Sequence, residues 1–453
     1  MDTRIKYKFC MTSHDVADAL SDLGFKLDSK KEQIPPVIKS FVSPSKLAQW
    51  SGWQLTPESI EHTLKYCIDK LALKAQIFVI HKGKLHTLIH IKPKFTAEEY
   101  LPRLKNLNKN LKWPHNFWYG DNIEFDVDEN FYQNKNKDIR FLNCIIKPLY
   151  TKDENEDSDV KLNERTEPTY YGKLLMEVNE HYDLPDGIFY MTATDNLVLR
   201  DDGKEPWVDV VGGKVNLYSH DYPTHIPILN CSTAKNYRDI PLPTFDDWDY
   251  VSENKPDLSK VELNWKNKKP IAVFRGGSTG CGFTVKSNPR IKAAILSKKF
   301  PHLLDAKITG MGNKIKIHEY EGVGYNLPKF FGFKDLKKNF MSRELQSEHK
   351  YIVHIDGNVA AYRLGITLLF NAVILLVDSG SRLWFQDMMK PYIHYVPVKS
   401  DLSDLIDKIK WCKSHDKECE IIANNAYELG KQVMTKKACI DYIAATFWKL
   451  TNL

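Results

Sequence analysis

From residue 270 onward the chain alternates between short continuous apolar runs and longer stretches in which apolar positions recur every third or fourth residue. Continuous runs suit strands buried on both faces and the spaced pattern suits helices laid over them, so this half reads as a parallel sheet covered on both sides. Ile271–Phe274, Tyr351–Ile355, Ala372–Val377 and His394–Val398 are predicted as strands. Helices are predicted from Asn288-Pro289, an N-cap with a first-turn proline, and over Val359–Phe370. Another begins near Ser400, with Leu402, Leu405, Ile406 and Ile409 as its buried stripe. Residues 416–449 read as two closing helices, with Ala445, Phe447 and Trp448 set to pack back on the body.

The first half has a different texture. Thr56-Pro57 opens a helix through Ile60, Leu64, Cys67, Ile68 and Leu71; Gln76–His81 and Leu85–Ile91 then alternate strictly around Lys82-Gly83-Lys84, a hairpin pattern. Gly187–Asn196 reads as an apolar strand ending in a carboxylate, Asp195. His225–Ser232 is a further strand, followed by a proline-rigid loop, Arg238–Pro243. Two polar stretches interrupt the pattern: residues 152–167, an acidic solvated loop, and Ser252–Lys269, the expected interdomain linker. The expected division is a 1–150 α+β region without a placeable motif, a Rossmann-like domain over 151–255 completed by 430–453, and a second Rossmann-like domain over 256–429.

Composition narrows the function classes. With 453 residues, 42% hydrophobic and 27% charged, the chain can bury a real core, which excludes wholesale disorder and a stapled mini-scaffold. Lys and Arg number 64 against 58 Asp and Glu, and a net +6 spread over this length is no nucleic-acid footprint. It remains compatible with a small anionic ligand. Met1–Cys10 carries no apolar leader pattern and no run approaches a membrane span, so a cytoplasmic or otherwise non-secreted chain is expected. The eight cysteines are scattered, most within apolar runs, as reduced buried thiols would be. Cys412, His415 and Cys419 come nearest to a metal set, but they lie on an amphipathic helix with no fourth ligand close by, which favours a structural role.

In a doubly wound sheet, ligands sit beyond the carboxyl ends of strands, where loops feed helix starts. Two loops fit. Phe274-Arg275-Gly276-Gly277-Ser278-Thr279-Gly280 offers glycines for close backbone approach, two hydroxyls and a guanidinium, all suited to phosphate, though its spacing is neither a Walker loop nor a dinucleotide fingerprint. Ile355-Asp356-Gly357-Asn358-Val359-Ala360-Ala361-Tyr362-Arg363 repeats the strand-end pattern, with Arg363 expected about one turn inside a helix. Both loops also read as ordinary turns bearing solvated arginines; together they favour a diphosphate ligand. Asp195 suits a general base, although a lone strand-end Asp is more often a turn former. Asp247 and Asp249 form an Asp-x-Asp that could hold a divalent cation, but the segment reads better as a structural loop.

Taken in order, four segments carry a resemblance to a known family. Phe274–Gly280 with Asn288-Pro289-Arg290, and Lys350–Gly357 running to Ala361-Tyr362-Arg363, resemble the signature of glycosyltransferase family 90, the capsule-associated and protein O-glucosyltransferase family. Lys390–Leu402 is similar to that family's last motif, and Pro227–Trp248 to an earlier one, so that the resemblance spans roughly residues 170–450. It implies a GT-B architecture, with two Rossmann-like domains facing a cleft, and an inverting transfer of a sugar, glucose or xylose, from a UDP-sugar to a glycan or protein hydroxyl. No metal or other cofactor is implied. The family's Phe-x-x-x-x-x-Asp pattern matches Phe189 to Asp195, which makes Asp195 the implied catalytic base. Donor-binding positions carry over to Ser232, Arg275, Gly276, Gly277, Ser278, Thr279, Arg290, Asn358, Val359, Ala360, Ala361, Tyr362 and Arg363. Two rivals stay open: a non-catalytic sugar-nucleotide or glycan-binding protein of the same fold, and a metal-dependent transferase built on Asp247 and Asp249.

Overall fold

The computed structural model describes residues 169–185, 187–192, 197–200, 225–235, 237–252, 260–279, 288–310, 340–357 and 359–451, with strands at 75–81 and 84–92 and a few shorter pieces before residue 150. Strands and helices are numbered in chain order. Tyr7–Lys8 (β1) pairs antiparallel with Glu124–Phe125 (β4). A six-stranded mixed sheet then takes Ala75–His81 (β2), Lys84–Lys92 (β3), Asn143–Ile145 (β5), Gly187–Thr192 (β6), Ile228–Asn230 (β7) and Ile240–Pro241 (β9), in the order β5-β3-β2-β6-β7-β9. The predicted hairpin is present, but β2 pairs antiparallel with β6 along its length, Ala75 opposite Thr192 and Ile80 opposite Gly187. The expected boundary at residue 150 therefore runs through one sheet. Pairing across so long a sequence gap leaves no local trace in either strand. The helix expected from Thr56 is described only at scattered positions, helical at Ser59, His62, Thr63, Tyr66 and Cys67.

The second sheet is fully parallel: Lys269–Gly276 (β10), Leu304–Ile308 (β11), His349–His354 (β12), Val373–Val377 (β13) and Val396–Val398 (β15), ordered β11-β10-β12-β13-β15. Its strands alternate between two apolar clusters, as a sheet with two covered faces requires. Ala272, Phe274, Tyr351, Val353, Val373 and Leu375 point to one, which Pro289–Lys299 (α3) and Leu405–Ser414 (α6) help to close. Val273, Ile352, Ile374 and Leu376 point to the other. That second cluster is shared: it also contains Phe189, Tyr190 and Ile228 of the mixed sheet, and residues of Thr169–His181 (α1), Phe245–Val251 (α2), Leu364–Leu368 (α5), Asp416–Val433 (α7) and Lys436–Thr451 (α8). The last helix crosses back to the mixed sheet, with the Phe447 ring 4.3 Å from that of Phe189. No helix among the described residues is long and apolar enough to cross a membrane.

Two further contacts tie the halves. Thr233–Ala234 (β8) pairs antiparallel with Ser381–Arg382 (β14), a short ladder between the loop after β7 and the loop after β13. Helix α5 approaches α2 so closely that a Cβ at Gly365 would lie 2.6 Å from Asp247 Oδ1 and equally near Met434 Sδ. Glycine is required there for proximity.

The segment read as a linker is more than a tether. Asn264 caps a 3-10 turn at Trp265–Asn267 that buries Trp265, and the next residue, Lys268, is itself buried. Its ammonium donates to the carbonyls of Glu262, Ser347 and Phe370, the last at 2.9 Å. Ser347 ends Arg343–Ser347 (α4), and Phe370 lies just past α5, so one cation gathers three chain ends at the amino edge of the parallel sheet. Burial draws its pKa down to about 8, which still leaves it charged at neutral pH. Removing the donor strands three carbonyls inside the protein. Lys268→Met should therefore lower stability by about 3 kcal/mol, and a urea midpoint equal to that of the parent chain would refute this role.

Candidate functional site

The parallel sheet has the sequence order 2-1-3-4-5, since β11 lies on one side of β10 and β12 on the other. Its topological switch point is therefore the gap between β10 and β12, and ligands of such sheets bind just beyond the carboxyl ends at that gap. Both candidate loops leave the sheet there: residues 276–279 from β10 and residues 355–363 from β12.

The first loop is braced from β11. Thr309 N–H donates to Gly276 O at 2.9 Å, and Ser278 N–H donates to Gly310 O at 2.9 Å. Asn288 caps α3 as its sequence predicts, its side chain accepting from the N–H groups of Arg290 and Ile291, while its amide donates to Ser278 O. The cap thus fixes the helix start and the loop together. Arg290, one residue later, lies under both loops. Its Nη1 donates to Thr279 Oγ1 at 2.7 Å and to Gly277 O at 3.2 Å; its Nε and Nη2 donate to the carbonyls of Ile355 and Asp356 at 2.9 to 3.3 Å. A Cβ at Gly357 would fall 3.1 Å from Thr279 Oγ1 and 3.2 Å from Arg290 Nη2, which explains the glycine at that contact.

The second loop differs from its prediction. Asp356 is buried, and its Oδ1 accepts from Ala361 N–H at 2.7 Å while Gly357 N–H donates to Val359 O. Those bonds hold the chain in a turn, so α5 starts only at Leu364 and Arg363 is its N-cap, not a residue one turn inside. Val359 and Ala360 are buried, Tyr362 packs its ring edge-on against Phe245 of α2 at 5.1 Å, and Asn358 lies outside the described residues. Burial raises the pKa of Asp356, but its bonds from His354, Ser379 and Ala361 outweigh this and hold the carboxyl below its usual range. His354 is held below its own usual range, first by burial and further by the nearby Arg363 and Arg290. The pair is therefore neutral imidazole beside carboxylate at neutral pH.

The three arginines differ in how far they are engaged. Arg275 is buried and turned toward β11, with Nη2 on Asp305 Oδ2 at 2.5 Å and Nη1 on the carbonyls of Phe274 and Asp305. Arg290 is engaged by the loops. Arg363 donates through Nη1 to Arg275 O, but its Nη2 is buried and has no hydrogen-bond partner among the described residues. Burial draws this guanidinium down to about 10, so it stays charged. The hydroxyl of Ser232, just after β7, is also buried without a partner among the described residues, and so is that of Thr233 beside it. The β8–β14 ladder sets Thr233 opposite Arg382, and Ser381 at the start of β14 donates its N–H to Ser379, which in turn donates to Asp356. An unsatisfied buried donor is costly, which makes such atoms natural points for a ligand.

A family model described as Glycosyl transferase family 90 matches residues 209–453, more than half of the chain. The chain belongs to glycosyl transferase family 90. It is 29% identical over 434 residues to the uncharacterised protein 035R of invertebrate iridescent virus 3, covering 89% of this chain and 37% of that protein. To protein O-glucosyltransferase 3 of Mus musculus it is 31% identical over 275 residues, covering 58% of this chain and 46% of that one. The chain thus spans less than half the length of these relatives. A crystal structure of Anabaena Alr3699/HepE in complex with UDP-glucose is similar at 14% identity and a TM-score of 0.29, over 46% of this chain and 53% of that chain, too slight a likeness to argue from.

The family 90 match contains Ser232, both loops and all three arginines, whereas Asp195 precedes it and lies outside the described residues. What is described around that position is its anchor. Asp239, fully buried, accepts from the N–H groups of Val198 and Leu199 at 2.9 Å and from the Asn230 amide at 2.8 Å, so the chain just after Asp195 is pinned to the end of β7. The sequence reading passed over Asp239, Asp356 and Ser379. For Asp239 the available signal was a carboxylate placed directly before the apolar, proline-rigid run Ile240–Pro243.

The Asp-x-Asp segment is a helix, not a loop. Thr244 and Asp247 form a capping box at the start of α2, and Trp384 Nε1 donates to Asp247 Oδ2 at 3.0 Å. Two residues apart on a helix, Asp247 and Asp249 project about 200° apart, so they do not form a chelating pair. His415 stacks on Trp411, while Cys412 and Cys419 are buried; among the described residues no three His, Cys, Asp or Glu side chains gather as a metal set would.

Burial lifts Asp247 to about 6, the neighbouring Asp246 adding to the rise and the Thr244 and Trp384 bonds opposing it. A carboxyl whose folded pKa lies above its unfolded value stabilises the fold at low pH and loses that contribution as pH rises through about 6. Between pH 7 and pH 5 this group should add on the order of 1 kcal/mol to stability. The difference in melting temperature between those two pH values should shrink in Asp247→Asn; an unchanged difference would show that Asp247 is not the titrating group.

Proposed function

We propose that this chain is an inverting UDP-sugar glycosyltransferase, with glucose or xylose as the sugar and a glycan or protein hydroxyl as the acceptor. The observation that carries the reading is the switch point itself. Arg290 holds two strand-end loops together there, beside an Arg363 Nη2 that has no partner among the described residues, in a chain of family 90. A diphosphate suits that combination because charge-assisted bonds to guanidinium and loop N–H groups are strong where water is excluded. The name of the mouse relative, a protein O-glucosyltransferase, supports glucose and a protein hydroxyl.

In the proposed step, Asp195 takes the proton of the acceptor hydroxyl as its oxygen attacks the anomeric carbon from the face opposite UDP. The bond from that carbon to the β-phosphate oxygen breaks, and the departing charge falls to Arg363, to the helix start capped by Asn288, and to the loop N–H groups. Arg275 contributes by fixing β10 against Asp305 and offering its carbonyl to Arg363. The buried Ser232 hydroxyl supplies a further polar contact for the donor. Leaving-group charge handled by guanidinium and a helix dipole requires no divalent metal, and full turnover in chelator is the expected result.

A thermal-shift screen of UDP-sugars tests the reading as a whole: UDP and at least one UDP-sugar should raise the melting temperature, and a flat response to all of them would sink it. Asp195→Asn should lower turnover by roughly 10²–10⁴, the range of general base catalysis, while UDP affinity stays within about twofold. Turnover preserved in that variant would mean the base lies elsewhere; binding without UDP release in the parent chain, acceptor present, would favour the non-catalytic alternative. Arg363→Ala should weaken UDP binding by about tenfold or more, the value of one charge-assisted bond, and an unchanged Kd would place the donor away from this loop.

A further inference from the structure

Phe274 ends the apolar run of β10 and is buried, so the sequence reads it as core. Its ring does something more specific. The guanidinium carbon of Arg290 lies 5.9 Å from the ring centroid and that of Arg363 lies 5.2 Å from it, both within cation–π range. One aromatic ring thus serves two cations from separate elements, Arg290 in α3 and Arg363 at the start of α5. The ring also sits directly under the first loop: a Cβ at Gly276 would lie 2.9 Å from Phe274 Cζ and 3.4 Å from Arg363 Nη2. Glycine at 276 leaves the space that the ring and the Arg363 tip occupy.

We propose that Phe274 is a positioning residue, whose ring fixes the placing of the Arg363 guanidinium for the donor diphosphate, beside an Arg290 that the loops already hold. The proposal rests on the donor-site reading above. The two arginines depend on the ring unequally. Arg290 is held by hydrogen bonds to four residues whatever the ring does. Arg363 has a single side-chain bond, to Arg275 O, and an Nη2 with no partner among the described residues, so the ring face is what keeps its plane directed at the loop. A negative ring face also eases the approach of two like charges before an anion arrives. A leucine of similar bulk keeps the core filled but supplies no quadrupole.

The test uses the full chain with Phe274→Leu, and with fluorinated phenylalanines carrying one, two or three ring fluorines at position 274. Fluorination weakens the ring face while nearly preserving its size. The UDP Kd should rise stepwise with each fluorine and at least fivefold in Phe274→Leu. Phenylglyoxal labelling of Arg363, followed by peptide mass mapping, should quicken several-fold in Phe274→Leu while Arg275, paired with Asp305, labels at its parental rate. A UDP Kd flat across the fluorine series, or Arg363 labelling unchanged in Phe274→Leu, would overturn the proposal. If the parent chain binds no UDP, the donor reading fails, and the Arg363 labelling still decides whether the ring holds that side chain.

Discussion

The arrangement of this chain turns on a single guanidinium. Arg290 donates to both loops that leave the sheet at its switch point, to Gly277 and Thr279 in one and to Ile355 and Asp356 in the other. Parallel strands side by side diverge at their carboxyl ends because each must feed its own helix, and loops at that divergence have no ladder to hold them. Arg290 supplies the missing tie. Its carbonyl partners are backbone groups that would otherwise be unpaired in a buried place, so the tie satisfies the backbone as well as placing charge.

Around that tie the other polar groups fall into supports. Asp356 sets where α5 can start, Ser379 and His354 set the Asp356 carboxylate, and Asp239 does for the chain after Asp195 what Asp356 does for the chain before Arg363. Two buried carboxylates each accept backbone N–H groups from the loop they serve. Such a carboxylate is a rigid device: shifting the loop exposes an uncompensated buried charge, which is far more costly than breaking a neutral contact. Rigid support of this kind is what a site needs to meet a ligand without rearranging first.

Much of this was legible in the sequence, and the boundary is physical. The parallel sheet was readable because its strands are continuous apolar runs, and the α3 cap because Asn288-Pro289 uses side-chain and ring chemistry that acts locally. The helix over Val359–Phe370 came out shorter because Val359 O, which a helix from there would offer to Arg363 N–H, accepts from Gly357 N–H in a turn that Asp356 holds through Ala361 N–H, and a turn of that kind depends on where the strand before it ends. The loop assigned to Asp246–Asp249 was a helix whose Thr244-to-Asp247 capping box was visible in the sequence but outweighed by the prolines before it. What no local pattern could reveal was pairing at a distance: β2 against β6, Arg275 against Asp305, and Lys268 against three carbonyls.

The apolar cluster common to both sheets has a consequence for how the molecule can change. Val273 and Ile374 of the parallel sheet belong to the same continuous interior as Phe189 and Tyr442, so neither half can be cut away without opening the other to water. Unfolding should then proceed as one cooperative event rather than domain by domain. The parallel-sheet half cannot be lifted out as an exchangeable cassette, and sequence change on either side of the junction is constrained by the side chains facing it.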